Sequence, residues 1–183
     1  MIEIMLSDFV SRLISLAPQQ RTLNKGTFLF LQGDPVTSVF VLEKGSVELT
    51  RYQEGGEKLV LQRAGDMTFL AEASVYSDAY HCHAAVVEPS VIHEISRGAF
   101  LKILANDEAL FHAWAAQLAR EVQATRYRCE LLSLKTVAQR LDGWLDWNGG
   151  KLPPKGQWKS LAHQIGVSPE ALYREIARRR RDR

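Results

Sequence analysis

The stretch KSLAHQIGVSPEALYREIARRRR, residues 159–181, carries the decisive pattern. Leu161, Ala162 and Ile165 share the inner face of a short helix that should stop at Gly166. Val167 is the small apolar residue expected between two helices. Ser168 is a good N-cap, Pro169 suits the first helical position, and Glu170 places negative charge in the first turn. Ala171, Leu172 and Ile176 then give a second helix its buried face, leaving Pro169, Glu170, Tyr173, Arg174 and Arg178 exposed. A small residue on the first helix, a glycine turn and a capped second helix match a helix-turn-helix. The competing reading is a plain helical hairpin.

In a helix-turn-helix the N-terminal part of the second helix enters the major groove. The fork of Arg174 matches guanine O6 and N7, and Glu170 can accept from cytosine N4. Lys159, Arg178 and the arginines after it would neutralise phosphates, which adds affinity without sequence information. The candidate DNA-binding set is therefore Lys159, Ser168, Pro169, Glu170, Tyr173, Arg174, Arg178 and Arg179. Residues 155–183 hold 8 Lys and Arg against 3 Asp and Glu, whereas the rest holds 15 against 18. That asymmetry suits an anionic partner, although a solvated basic tail would produce it too.

Upstream the pattern changes twice. Ser7 to Leu16 carries a helical stripe of Phe9, Val10, Leu13, Ile14 and Leu16. Then come short β-type runs: FLFLQ, VFVLEK, SVELTRY, EKLVLQR, YHCHAAVV and SVIHEIS. Lys25-Gly26, Gly33-Asp34, Lys44-Gly45, Gly55-Gly56 and Gly65-Asp66 separate them, as turns would in an all-β barrel or sandwich. Glu54-Gly55-Gly56-Glu57 is a hairpin turn signal. The helical period returns from about Gly98, with Asn106 or Asp107 the N-cap of a long helix. Along it Phe111, Ala115, Leu118, Val122, Thr125, Cys129 and Leu132 follow steps of four and three, the seam of a two-stranded coiled coil. Because charged residues flank this narrow strip, a homodimer interface is favoured over packing within one domain. A further helix should run from Thr136 to about Trp147, with Val137, Leu141, Trp144 and Leu145 on one side, before the loop NGGKLPPKG. The four tryptophans, Trp114, Trp144, Trp147 and Trp158, read as helix-packing residues.

Composition narrows the class. The chain has 183 residues, 46% hydrophobic and 24% charged, with formal net charge +2, an ordinary globular balance. There is no apolar run long enough for a membrane span, and MIEIMLSDFVSRLISL lacks the basic start of a signal peptide. Two cysteines, Cys82 and Cys129, are too few for a disulfide framework or a four-thiolate cluster. A reduced, cytoplasmic protein is the expectation. No Ser-His-Asp, P-loop or paired-carboxylate arrangement supports catalysis, so the chain reads as a non-enzyme.

The order of parts resembles the Crp/Fnr family of bacterial transcription regulators, in which a cyclic-nucleotide-binding-type barrel precedes a dimerising helix and a helix-turn-helix. The resemblance rests on LQGDPVTSVFVLEKGSVEL, RAGDMTFLAEASVYSDAYHCHAAV and GVSPEALYREIAR. It implies an α+β fold: an N-terminal antiparallel jelly-roll barrel with flanking helices at 1–105, a dimerisation helix at 106–132 and an all-α helix-turn-helix domain at 133–183. It also implies that Glu170 and Arg174 read bases, and that a homodimer binds a near-palindrome in double-stranded DNA. RNA polymerase and a small-molecule effector join the expected partners; no membrane does. The implied effector pocket comprises Leu70, Ala71, Glu72, Tyr80, His81, Cys82 and Thr125.

Two departures from the family pattern follow. Members that bind cyclic AMP carry Gly-Glu, then Arg and a small hydroxyl residue on the next strand; here Ala71 precedes Glu72, and Tyr80 and His81 occupy the later positions. Without that guanidinium a buried cyclic phosphate lacks its charge-assisted fork, so an effector other than cyclic AMP is expected. The family's C-terminal β-hairpin wing is also missing, and Arg178, Arg179, Arg180 and Arg181 are expected to substitute for its phosphate contacts, with Asp182 and Arg183 dispensable.

His81-Cys82-His83 invites a metal or haem reading, and His83 with Glu88 completes a cupin-like HxHx4E. Against it, the motif's flanking glycines are absent, His93 is too near to be a second-motif ligand, and strand alternation turns His81 and His83 away from the interior that Tyr80 and Cys82 face. No metal site or cofactor is therefore expected. Cys82 reads as a small buried hydrophobe rather than a redox sensor, and Cys129 sits on the seam. The alternative function is a ligand- or metal-binding sensor barrel whose helical end does not bind DNA.

Overall fold

The computed structural model describes residues 2–181, with side chains from residue 9 onward; Met1, Asp182 and Arg183, named above, lie outside them. The first helix, α1 (Ile2–Leu16), buries Phe9, Val10 and Leu13, and Phe9 sets its ring edge-on to Phe69 at 5.7 Å. Six strands follow among the described residues: β1 (Gln19–Leu23), β2 (Phe28–Phe30), β3 (Ser38–Tyr52), β4 (Lys58–Ala64), β5 (Thr68–Leu70) and β6 (His83–Ser96). All pair antiparallel in the order β1-β6-β3-β4, with β2 on β6 and β5 on β3. The glycine-punctuated runs thus form the antiparallel jelly-roll that the family resemblance implied.

The punctuation was uneven in meaning. Gly56 does close a hairpin, with Gln53 N–H donating to Glu57 O at 2.9 Å. Gly45 does not end a strand. It sits at φ +113° inside the single long β3, opposite Pro89 and Ser90 of the similarly long β6, where the register shifts between Lys44↔Val91 and Ser46↔Glu88. A Cβ there would collide with Ser90, so glycine permits a bulge that bends both strands and keeps them paired. The run QQRTL carried no apolar alternation, yet forms β1: its side chains are mostly exposed, and its backbone alone pairs with β6.

After β6, Ser96 caps α2 (Arg97–Asn106) by accepting from Ala99 N–H at 3.2 Å. Asp107 begins α3 (Glu108–Ser133): its carboxylate accepts from Leu110 N–H at 2.9 Å and also pairs with Arg12 of α1. The chain forms two compact units, Met1–Leu118 and Ala119–Arg183. The boundary falls inside α3 rather than before it, because Leu110 and Trp114 are buried in the first unit's core and Trp114 sets its ring edge-on to Phe100 at 5.8 Å.

The second unit adds α4 (Val137–Trp147), α5 (Trp158–Gln164) and α6 (Pro169–Arg181) to the end of α3. Thr136 and Gln139 form a reciprocal capping box at the start of α4, which fixes where the chain re-enters helix. Leu131, Leu141, Trp158, Leu161, Ala162, Ile165, Leu172 and Ile176 make its core, with Val167 packed against it.

Candidate nucleic-acid interface

The turn between α5 and α6 has the geometry its sequence foretold. Gly166 adopts φ +66°, and Val167 N–H donates back to Ala162 O at 3.0 Å, closing α5. Ser168 Oγ accepts from Ala171 N–H at 3.2 Å and caps α6. Leu172 and Ile176 are buried; Glu170, Tyr173 and Arg174 project to solvent on the opposite side, and Pro169 is half-buried. The Glu170 carboxyl is held below the usual carboxylate range by its own backbone N–H and the Ser168 hydroxyl, and further by the charges of Arg174 and Lys159. Glu170, Arg174 and Lys159 thus form one electrostatic cluster at the exposed start of α6.

The arginine run divides. Arg179 Nη1 donates to Asp142 Oδ1 at 2.5 Å, its Nε to Glu175 Oε1 at 2.7 Å and its Nη2 to Ala138 O at 3.0 Å. It fastens α6 to α4. Arg178 grips Glu175 with Nε at 3.0 Å and Nη2 at 2.8 Å. Arg180 lies over the Trp158 ring, 5.3 Å from its centroid, and Arg181 is exposed. An uncommitted row of four phosphate-binding arginines is therefore not what the structure holds: Arg179 is a tie within the domain. Its role was invisible to periodicity because Asp142 and Ala138 lie far off in sequence.

Along α3 the proposed seam residues face outward in the single chain. Phe111, Val122 and Leu132 are 43%, 49% and 42% exposed, and Ala115, Thr125 and Cys129 are exposed as well. Leu118 differs, being half-buried against the first unit's core.

In the barrel, Leu70, Ala71, Tyr80 and Cys82 are buried, while His81 is exposed, so the alternation expected along this segment holds. Ala71 keeps φ +72° at the place the family gives to glycine, and Glu72 opens a short 3₁₀ turn, Glu72–Ser74. Tyr80, at the arginine position, stacks on Phe30 with centroids 3.9 Å apart, and its hydroxyl donates to Ser38 O at 2.6 Å and accepts from Ser38 N–H at 3.2 Å. Residue 80 thus closes the barrel instead of offering a guanidinium, and these residues do not fit a cyclic phosphate held in the family's manner. Thr125 belongs to the second unit.

The histidines are each engaged elsewhere. His81 Nδ1 shares a hydrogen bond with Ser74 Oγ at 3.0 Å, Gln32 N–H donates to His83 Nδ1 at 3.2 Å, and His93 Nε2 meets Glu43 Oε2 at 2.5 Å. Among the described residues no three His, Cys, Asp or Glu side chains converge as a metal site. Burial, reinforced by the Glu72 charge and only partly opposed by Arg51, pushes the Cys82 thiol up to about 11. At neutral pH it is an unreactive thiol.

Comparison with known proteins places this arrangement. Residues 20–107 match the family model of the cyclic nucleotide-binding domain. The cyclic AMP receptor protein of Thermus thermophilus is 27% identical over 124 residues, 67% of this chain and 57% of that protein. The transcriptional activator protein anr of Pseudomonas aeruginosa is 26% identical over 125 residues, 68% of this chain and 51% of that protein. The chain thus spans little more than half the length of these curated relatives. Among solved structures, the c-di-GMP responsive global regulator CLP of Xanthomonas campestris shares the fold with a TM-score of 0.68 at 20% identity, covering 96% of this chain and 92% of that one. FixK2 of Bradyrhizobium japonicum does so with 0.67 at 15% identity, covering 87% and 83%. Among the described residues no helix is long and apolar enough to cross a membrane. With a cyclic nucleotide-binding domain at residues 20–107 and a helix-turn-helix formed by α5 and α6, the chain is similar to regulators of the Crp/Fnr family.

Proposed function

We propose that the protein is a sequence-specific DNA-binding transcription regulator that acts as a homodimer on a near-palindromic duplex. One observation carries the reading: a capped α6 sits on a buried Leu172–Ile176 face and presents Glu170, Tyr173 and Arg174 together to solvent. Arg174 takes guanine O6 and N7 in the major groove, and Glu170 accepts from cytosine N4. Lys159, Arg180 and Arg181, all exposed, supply phosphate contacts. The outward apolar strip of Phe111, Val122 and Leu132 supports pairing along α3, since exposed large apolar residues in one row favour burial against a second copy. Two-fold symmetry then sets half-sites about one helical turn, ~34 Å, apart. The barrel serves as a sensor for an effector other than cyclic AMP, because residue 80 is a tyrosine used in packing.

Selection of bound fragments from random duplex DNA, repeated with Arg174→Ala, tests the reading. A shared palindrome is expected from the wild-type chain, with about 1–3 kcal/mol lost and one base position relaxed on substitution. A wild-type chain that enriches no sequence, even at low salt, refutes it.

A further inference from the structure

We infer that Arg140 is the positioning residue that fixes the recognition helix to the end of α3, so that the pose of α6 is set by the long helix; this rests on the DNA-binding reading above and deepens it. From α4, its guanidinium reaches two separate places. Nε donates to Leu134 O at 2.8 Å and Nη2 to Leu132 O at 3.0 Å, at the end of α3. Nη1 donates to Gly166 O at 2.8 Å and Ile165 O at 3.2 Å, in the turn between α5 and α6. All four acceptors are backbone carbonyls.

Those carbonyls lie at helix ends, where C=O groups lack intrahelical donors and carry the negative end of the helix dipole. One cation therefore caps α3 and α5 together and holds their ends at a fixed separation. Gly166 adds an independent constraint. A Cβ on it would run into the Leu132 side chain and come within 3.2 Å of Arg140 Nη1, so α3 and the turn are in direct contact at this glycine. Leu132 belongs to the outward strip of α3 as well. A shift at the end of that strip is thus passed to the turn that precedes α6. A lysine cannot replace the arginine, because a single ammonium lacks the planar fork that spans both groups of acceptors.

The test has two arms. In the first, spin labels on Glu130→Cys, which is exposed and off the seam, and on Ala177→Cys, with the seam residue Cys129 replaced by serine, report the α3–α6 distance within one chain, diluted with unlabelled protein; Cys82 is buried and stays unlabelled. The wild-type chain should give one narrow distribution, and Arg140→Ala a broad one. Arg140→Lys, which keeps the charge and most of the stem, should also broaden it and covers the case in which the alanine variant does not fold. Distributions as narrow as wild type in both variants overturn the inference. In the second arm, binding is measured on palindromes whose half-site spacing is changed one base pair at a time. If the competent pose falls to a tenth of the population, affinity for the preferred spacing drops about tenfold. Discrimination between spacings should then flatten, while base preference and salt slope persist. A lost base preference or a shallower salt slope would make Arg140 a DNA contact and overturn the inference. A wild-type chain that binds no duplex fails the functional reading instead, and the distance measurement still decides the role of Arg140.

Discussion

Replacing Arg179 by alanine separates stability from DNA affinity in a domain whose basic residues look interchangeable in sequence. The side chain is 27% exposed and makes three hydrogen bonds, to Asp142, Glu175 and Ala138 O. Asp142 is 59% exposed, so that pair contributes only a few tenths of a kcal/mol. Glu175 is 11% exposed but keeps Arg178, so losing its second arginine costs about 1 kcal/mol, and the Ala138 carbonyl adds a comparable amount. The sum is about 2 kcal/mol. For a unit of the size of Ala119–Arg183 this lowers its melting temperature by roughly 10 °C. Tryptophan fluorescence during urea or thermal unfolding reads it, because Trp144, Trp147 and Trp158 all lie in that unit; protein concentration must be held constant.

The acid side offers a second reading of the same tie. Arg178 first, then Arg179, hold the Glu175 carboxyl below its ordinary value. A depressed folded-state value contributes stability that is present above the unfolded carboxylate range and lost as pH falls through the folded one. Arg179→Ala should shrink that acid-side loss. The slope of log K against log salt for DNA should stay at its wild-type value, whereas substituting Arg180 and Arg181 should reduce it by about one unit per lost phosphate contact. A stability change under ~0.5 kcal/mol, within the ordinary range for surface substitutions, or a slope reduced by Arg179→Ala alone, would refute the assignment.

Two further outcomes follow from the barrel. Tyr80→Phe keeps the ring on Phe30 but leaves both Ser38 backbone groups without their buried partner, a loss of about 2 kcal/mol. Burial also raises the Tyr80 hydroxyl, so its contribution is complete below the ordinary tyrosine range and lost as pH rises through the folded value; the variant should lack that alkaline loss, and a wild-type-like profile would contradict it. Aromatic disulfide reagent at pH 8 should titrate at most one thiol in the native protein, Cys129, which a second copy on the α3 strip would shield, and both after denaturation, since Cys82 is buried with its thiol near 11. A second thiol reacting in the folded state would return Cys82 to consideration as a sensor.

Much of the fold was legible where structure is local. The turn at Gly166, the caps at Ser168 and Asp107, the helix start at Thr136, and the buried stripe of α6 all depend on residues within a few positions of each other. The sheet was less legible. Gly45 read as a turn because turns and bulges share a need for positive φ, and only the partner strand, at Pro89 and Ser90, tells them apart. β1 escaped notice because its pairing with β6 is a backbone matter that leaves its polar side chains in solvent. The candidate interface was readable in its exposed members, Glu170, Tyr173 and Arg174, but not in its supports.

Sequence alone determined the order of parts: a glycine-punctuated sheet, a long helix with an apolar strip, and a capped helix pair ending in arginines. It also determined that residue 80 carries no guanidinium. Only tertiary structure decided what several charged side chains are for. Arg140 and Arg179 look alike as solvated cations in one dimension, yet one joins the ends of two helices and the other ties α6 to α4. The reason is physical: hydrophobic periodicity marks which face is buried, whereas a guanidinium's acceptors include carbonyls that every residue possesses, and only folding selects which of them come within reach.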